Sequence, residues 1–180
     1  MRAVAFSECG DPEVLQVAQV DGPHPGPGHV RIAVRAASVN PFDVRVLSGS
    51  MSAPLKVSFP HVTGHDAAGV IDEVGAGVAE VTAGDAVLGL SVTGAAAEFT
   101  VLDDFVRRPA ALSWEQASGL ANIAETSARV FRELGDIEPG QILLVNGGSR
   151  RGRRDADGLQ REPRAACACA VARKLILLPD

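Results

Sequence analysis

Apolar and polar positions alternate along the first hundred residues in short runs, each broken by glycine or proline. Arg2–Ser7 and Val14–Val20 are two such runs, joined by the turn-forming Cys9-Gly10-Asp11-Pro12. Pro23-His24-Pro25-Gly26-Pro27-Gly28 must stop one strand before His29–Ala36 starts the next, whose alternation suits a strand with one buried face. Gly69–Val74, Ala86–Leu90 and Ala97–Leu102 repeat the pattern, punctuated by Gly75, Gly77 and Gly84-Asp85. Between them, Asn40–Leu47 changes to helical spacing, with Asn40 as cap and Pro41 in the first turn. Many short strands separated by glycine and proline predict a mainly β fold, a small barrel or sandwich.

From residue 113 the period lengthens. Ser113-Trp114-Glu115-Gln116 has the form of a capping box. Ser127, Val130, Phe131 and Leu134 fall on one face of a following helix that Gly135 is placed to end. Glu115 and Glu133 read as solvated helix charges. Gln141–Asn146 is then a nearly continuous apolar run, the pattern of a strand buried on both faces in a parallel sheet. The order is therefore barrel, helices, and the opening strand of an α/β sheet.

Composition changes this picture in one place. An apolar fraction of 46% allows a real core, and no run approaches the roughly 18 apolar residues of a membrane span. The start is too short and polar for a signal peptide, so a cytoplasmic protein with no membrane partner is expected. Cys9, Cys167 and Cys169 form neither a disulfide framework nor a spaced zinc pair. The net charge of −5 argues against a nucleic-acid partner, yet residues 150–180 carry seven arginines and one lysine against four acids. That basic tail is interrupted by acids and holds no aromatic residue, a poor nucleic-acid surface. Leu175-Ile176-Leu177-Leu178 could form a short strand within it.

Several stretches, in this order, resemble the medium-chain dehydrogenase/reductase superfamily, in its zinc-independent quinone-oxidoreductase branch. They are Val39-Asn40-Pro41-Phe42-Asp43, Gly64-His65-Asp66-Ala67-Ala68-Gly69-Val70-Ile71, Val74-Gly75-Ala76-Gly77-Val78, Gly84-Asp85-Ala86-Val87-Leu88-Gly89, Ala97-Glu98-Phe99 and Pro139–Ser149. The resemblance covers about residues 1–149. It implies a GroES-like, partly open barrel over residues 1–110, then linking helices and the first strand of an incomplete Rossmann domain over 111–149. Residues 150–180 fall outside it and are expected to form a disordered tail. The implied chemistry is hydride transfer from NADPH to a quinone, an enone or another activated alkene, and intact relatives are expected to form homodimers.

The resemblance also places the site. The zinc-dependent branch has a cysteine ligand where this chain reads Pro41-Phe42-Asp43, and His65 beside Asp66 is one imidazole where a catalytic zinc needs about three ligands, so no zinc is expected. His65 is read as structural or hydrogen-bonding. Asn40 stands where the branch puts an asparagine near nicotinamide and substrate, and its amide offers a donor and an acceptor; capping of the next helix is the alternative. Asp43 is read as a structural residue of that helix. The absence of tyrosine excludes the tyrosine acid of some enoyl-reductase relatives. Thr126 matches a threonine that the family directs at the nicotinamide, with an ordinary helical position as its alternative. Asn146, Gly147, Gly148 and Ser149 enter the glycine-rich turn that aims a pyrophosphate at a helix N-terminus.

After Ser149 that turn fails. Arg150-Arg151-Gly152-Arg153-Arg154 sets long side chains where the family needs a close backbone approach. Written in G+C-rich codons, Arg-Arg-Gly-Arg reads Gly-Gly-Val-Gly one base later, the continuation expected of the family. A frameshift near codon 150 is the expectation. Two functional readings follow: an NADPH-dependent oxidoreductase, or a catalytically inert GroES-like fragment without cofactor binding.

Overall fold

A computed structural model describes residues 1–51, 57–134, 142–146 and 174–178, with side chains described as far as Arg129. It divides into two compact units, Met1–Ala121 and Asn122–Asp180.

In the first unit, β1 (Arg2–Phe6) lies between β2 (Gln16–Gln19) and β4 (His61–Val62) in a small antiparallel sheet. The strands β3 (Val30–Ala37), β5 (Asp66–Val74), β6 (Ala86–Ser91) and β7 (Phe99–Arg107) form the barrel. The ring closes because β3 pairs antiparallel with both β5 and β7. The barrel expected as partly open is thus a closed four-strand ring with the small sheet beside it, linked through the Ala3–Ala97 bridge.

Period-2 alternation builds two layers from the same strands. Val30, Ile32, Ala67, Ile71, Val87 and Leu102 fill the barrel interior. Their sequence neighbours Ala68 and Leu88 point the other way, under the helix α2 (Trp114–Ser118). Each interior Val, Ile or Leu contributes about 1.5–3 kcal/mol by leaving water. Gly69 marks where the wall is tightest, since a Cβ there would lie 2.3 Å from the Ala33 carbonyl oxygen.

Three differences from the sequence reading have physical reasons. The run Val14–Val20 splits into a 3-10 turn, Pro12–Val14, and β2, because Pro12 fixes the start of the turn. The strand expected to stop at Leu102 continues to Arg107: Asp103 and Asp104 face solvent and mask the alternation, while Arg107 pairs with Asp85 at 2.8 Å. The two-residue β4 has no readable period. The capping box at Ser113 forms as expected, Gln116 N–H donating to the Ser113 hydroxyl at 3.2 Å and the Gln116 side chain accepting from the Ser113 N–H at 3.0 Å.

The second unit takes α3 (Ala121–Leu134) from Asn122 onward, with β8 (Ile142–Asn146) and β9 (Lys174–Leu178). Ser127 is buried, in keeping with its predicted place on the packed face of α3; Gly135 lies outside the described residues. The strand expected to enter a parallel sheet, β8, instead pairs antiparallel with β9, Ile142 opposite Leu178 and Asn146 opposite Lys174. An apolar strand whose backbone groups are unpaired takes whatever apolar edge is within reach, and 174–178 supplies one. That segment of the expected disordered tail is a strand. No helix among the described residues is long and apolar enough to cross a membrane.

Candidate active site

The chain leaves β3 through Ser38 and Val39, and Asn40 turns it into α1 (Pro41–Leu47). Asn40 is the N-cap, extended at φ −116° and ψ 160°, and forms a capping box with Asp43. The Asp43 carboxylate accepts the Asn40 backbone N–H at 2.6 Å. The Asn40 side chain is turned inward, its Nδ2 donating to Ser38 Oγ at 3.0 Å and to Asp66 Oδ1 at 2.9 Å. The Ser38 hydroxyl donates to the same carboxylate oxygen. Asp66 is fully buried at the start of β5, and its backbone carbonyl accepts the Ser38 N–H at 3.2 Å.

Beside this bracket lies a cleft of about 510 Å³, lined by Phe42, Asp43 and Val46 of α1, by Val57, Ser58 and the run from Pro60 through β4 to His65, and by Ser91–Gly94 at the end of β6. Asn40 is not among its lining residues; it stands behind them and fixes the start of the helix that presents Phe42 and Asp43.

The Phe42 and His65 rings meet with centroids 4.7 Å apart at 44°. His61 sets its ring edge against Phe6 at 5.2 Å. Burial pushes the Asp43 carboxyl above the ordinary carboxylate range, and the Asp66 charge pushes the same way. The Asn40 N–H and the charge of His65 oppose them. Burial lowers the His61 imidazole below its usual value, against the pull of Asp43. On the β6 side, the Ser91 and Thr100 hydroxyls lie 2.6 Å apart and those of Thr93 and Thr100 3.1 Å apart.

Among the described residues, no three His, Cys, Asp or Glu side chains are grouped to hold a metal ion. Of the sequence-predicted cofactor residues, Thr126 lies half-buried on α3 and Asn146 ends β8, both in the second unit. Gly147, Gly148 and Ser149 lie outside the described residues. Sequence reasoning passed over His61, Ser91 and Thr93. The one available signal was local: Ser91 and Thr93 sit two apart before Gly94, so they share one side of an extended segment.

Comparison with known proteins agrees with this geometry. Residues 26–108 match the alcohol dehydrogenase GroES-like domain. Over 153 residues the chain is 35% identical to a quinone oxidoreductase of Rattus norvegicus, which covers 83% of this chain and 46% of that protein. It is also 35% identical over 139 residues to a mycocerosic acid synthase-like polyketide synthase of Mycobacterium tuberculosis, 76% of this chain and 6% of that one. The Escherichia coli quinone oxidoreductase complexed with NADPH superposes with a TM-score of 0.67 at 30% identity, over 77% of this chain and 43% of that one. The chain thus spans about half the length of the quinone oxidoreductases it matches. With the barrel, the capped α1 and the cleft in place, the chain belongs to the medium-chain dehydrogenase/reductase superfamily and is quinone-oxidoreductase-like.

Proposed function

We propose that this chain supplies the acceptor-binding half of a cytoplasmic, zinc-independent, NADPH-dependent oxidoreductase that passes hydride to a quinone, an enone or another activated alkene. The observation that carries the reading is the cleft itself. It has the volume of a small-ligand site, a tilted Phe42–His65 ring pair and valine side chains for a flat ring, and a few polar groups converging on it. The donor set fits an oxygen-bearing ring better than it fits zinc. No cysteine stands in Pro41-Phe42-Asp43, where the zinc-dependent branch has its thiolate ligand, and the Phe42 ring lies against the His65 imidazole.

The nicotinamide, when bound, supplies the hydride. Thr126 is assigned to its nicotinamide end, and Asn146, Gly147, Gly148 and Ser149 to its pyrophosphate. Asn40 is assigned a positioning role: held by Asp66, it fixes α1 so that Phe42 and Asp43 form the cleft wall. The Asp43 carboxyl, raised above its ordinary range by burial, lines the same cleft.

Quinone-dependent oxidation of NADPH by the purified chain, followed as loss of nicotinamide absorbance with equal appearance of hydroquinone, tests the proposal. Turnover unchanged by a zinc chelator is the expected result. No reduction of any quinone or enone, or turnover that a chelator abolishes, would sink it.

A further inference from the structure

The hydroxyls at the end of β6 have a proton count that fixes what they can bind. Thr100 is fully buried and lies between Ser91 and Thr93, at 2.6 Å from one and 3.1 Å from the other. Ser91 Oγ also accepts the Thr93 N–H at 3.3 Å, and Thr93 Oγ1 accepts the Val101 N–H at 3.0 Å. Each hydroxyl owns one proton and two acceptor positions. The two contacts within the trio consume two of its three protons, which leaves one.

That proton does not stay on Thr100, because a buried donor without an acceptor is what folded interiors avoid. Thr100 therefore donates to one neighbour and receives from the other. If it donates to Ser91, then Ser91 has filled both acceptor positions, one by Thr100 and one by the Thr93 N–H. If it donates to Thr93, then Thr93 has filled both, by Thr100 and by the Val101 N–H. In either arrangement the leftover O–H belongs to a residue lining the cleft that has no acceptor capacity left.

We infer that Ser91 and Thr93 form a subsite that turns one O–H donor toward a ligand oxygen that accepts a hydrogen bond, a carbonyl or the oxyanion that follows from it. Assigning that oxygen to the hydride acceptor rests on the oxidoreductase reading; the presence of the donor does not. On that reading, hydride arriving at the acceptor builds negative charge on this oxygen, and a donor already aimed at it gains strength as the charge grows. Removing one hydroxyl lets the relay reverse, so each single deletion leaves an outward donor on the other residue. Removing both leaves none.

The test uses the 180-residue chain and two ligands of one shape, cyclohexanone and methylenecyclohexane, titrated while amide shifts of Ser91–Gly94 are followed by NMR. The ketone is expected to bind about tenfold more tightly, the worth of one hydrogen bond to a protein donor. Ser91→Ala and Thr93→Val each retain most of that preference, and the double variant S91A/T93V loses it while keeping its affinity for methylenecyclohexane. The retained hydrocarbon affinity shows that the variant cleft is intact. Equal binding of the two ligands by the unsubstituted chain, no binding of either, or an undiminished ketone preference in the double variant overturns the inference. A chain that prefers the ketone but oxidises no NADPH keeps the subsite and loses the oxidoreductase reading. Turnover without ketone preference does the reverse.

Discussion

Asn40 donates its side-chain Nδ2 to Oδ1 of Asp66 at 2.9 Å, which ties the first residue before α1 to the first residue of β5. Asp66 is fully buried and also receives the Ser38 hydroxyl, so its carboxylate is the anchor of the whole turn. Asp66→Ala strands two donors without an acceptor and is expected to cost about 3 kcal/mol. Asp66→Asn keeps the shape but not the charge and is expected to cost about 1–2 kcal/mol. In a double-mutant cycle measured by urea unfolding, Asn40→Ala and Asp66→Ala should couple by about 1 kcal/mol. Additive losses would mean that the contact does not hold α1 in place.

Asp43 gives the stability a pH dependence of known sign. Its carboxyl is raised above 3.8 in the folded chain, chiefly by burial. Between 3.8 and the raised value the folded chain binds more protons than the unfolded one, so stability falls as pH climbs through that window and stays lower above it. Asp43→Asn keeps an oxygen for the Asn40 N–H and removes the charge. The variant should therefore gain on the parent between acidic and neutral pH. Urea unfolding of both chains at the two ends of the window measures the difference; a gap that does not change with pH would refute the assignment.

Much of this was legible in the sequence, and the remainder has a common cause. Ile32, Ala67 and Ile71 betray the barrel because each lies two or four residues from another that shares its face. Asn40-Pro41 betrays the start of α1 because caps are local. The partner of Asn40 is 26 residues away, and no local pattern names it. Ser91, Thr93 and Thr100 look like surface residues of strands, and only the folding of β7 onto β6 turns their hydroxyls toward one another. The direction of β8 is hidden from the sequence for the same reason. An apolar run says that a strand is buried, not which strand lies beside it.

His61 supplies the opposite slope. Burial lowers its imidazole below 6.5, so below that pH the unfolded chain takes up a proton that the folded chain resists. Stability is therefore expected to fall as pH drops from 6.5 to the depressed value. His61→Phe keeps an aromatic edge against Phe6, now 5.2 Å from the His61 ring, and removes the proton. Thermal melts on either side of pH 6.5 should show the parent losing more than the variant. Equal losses would place the titrating group elsewhere.

Gly94 makes the sharpest mechanical prediction about the cleft. It lines the cavity at φ +89°, and a Cβ there would lie 2.3 Å from the Val62 carbonyl oxygen and 2.6 Å from the Val62 Cβ. Two of the nearest atoms belong to the backbone and Cβ of β4, so they cannot swing aside as the end of a long side chain could. Gly77 provides the control, since it also has a positive φ, +84°, but has nothing within 4 Å of its would-be Cβ. Gly77→Ala should cost only the left-handed penalty, about 1–2 kcal/mol. Gly94→Ala should cost that and the displacement of β4, about 3–4 kcal/mol in all. It should also weaken cyclohexanone binding, because β4 and the residues flanking it line the cleft. Urea unfolding of the two variants isolates the clash from the backbone strain; equal costs would show that β4 does not press on Gly94 as the structure has it.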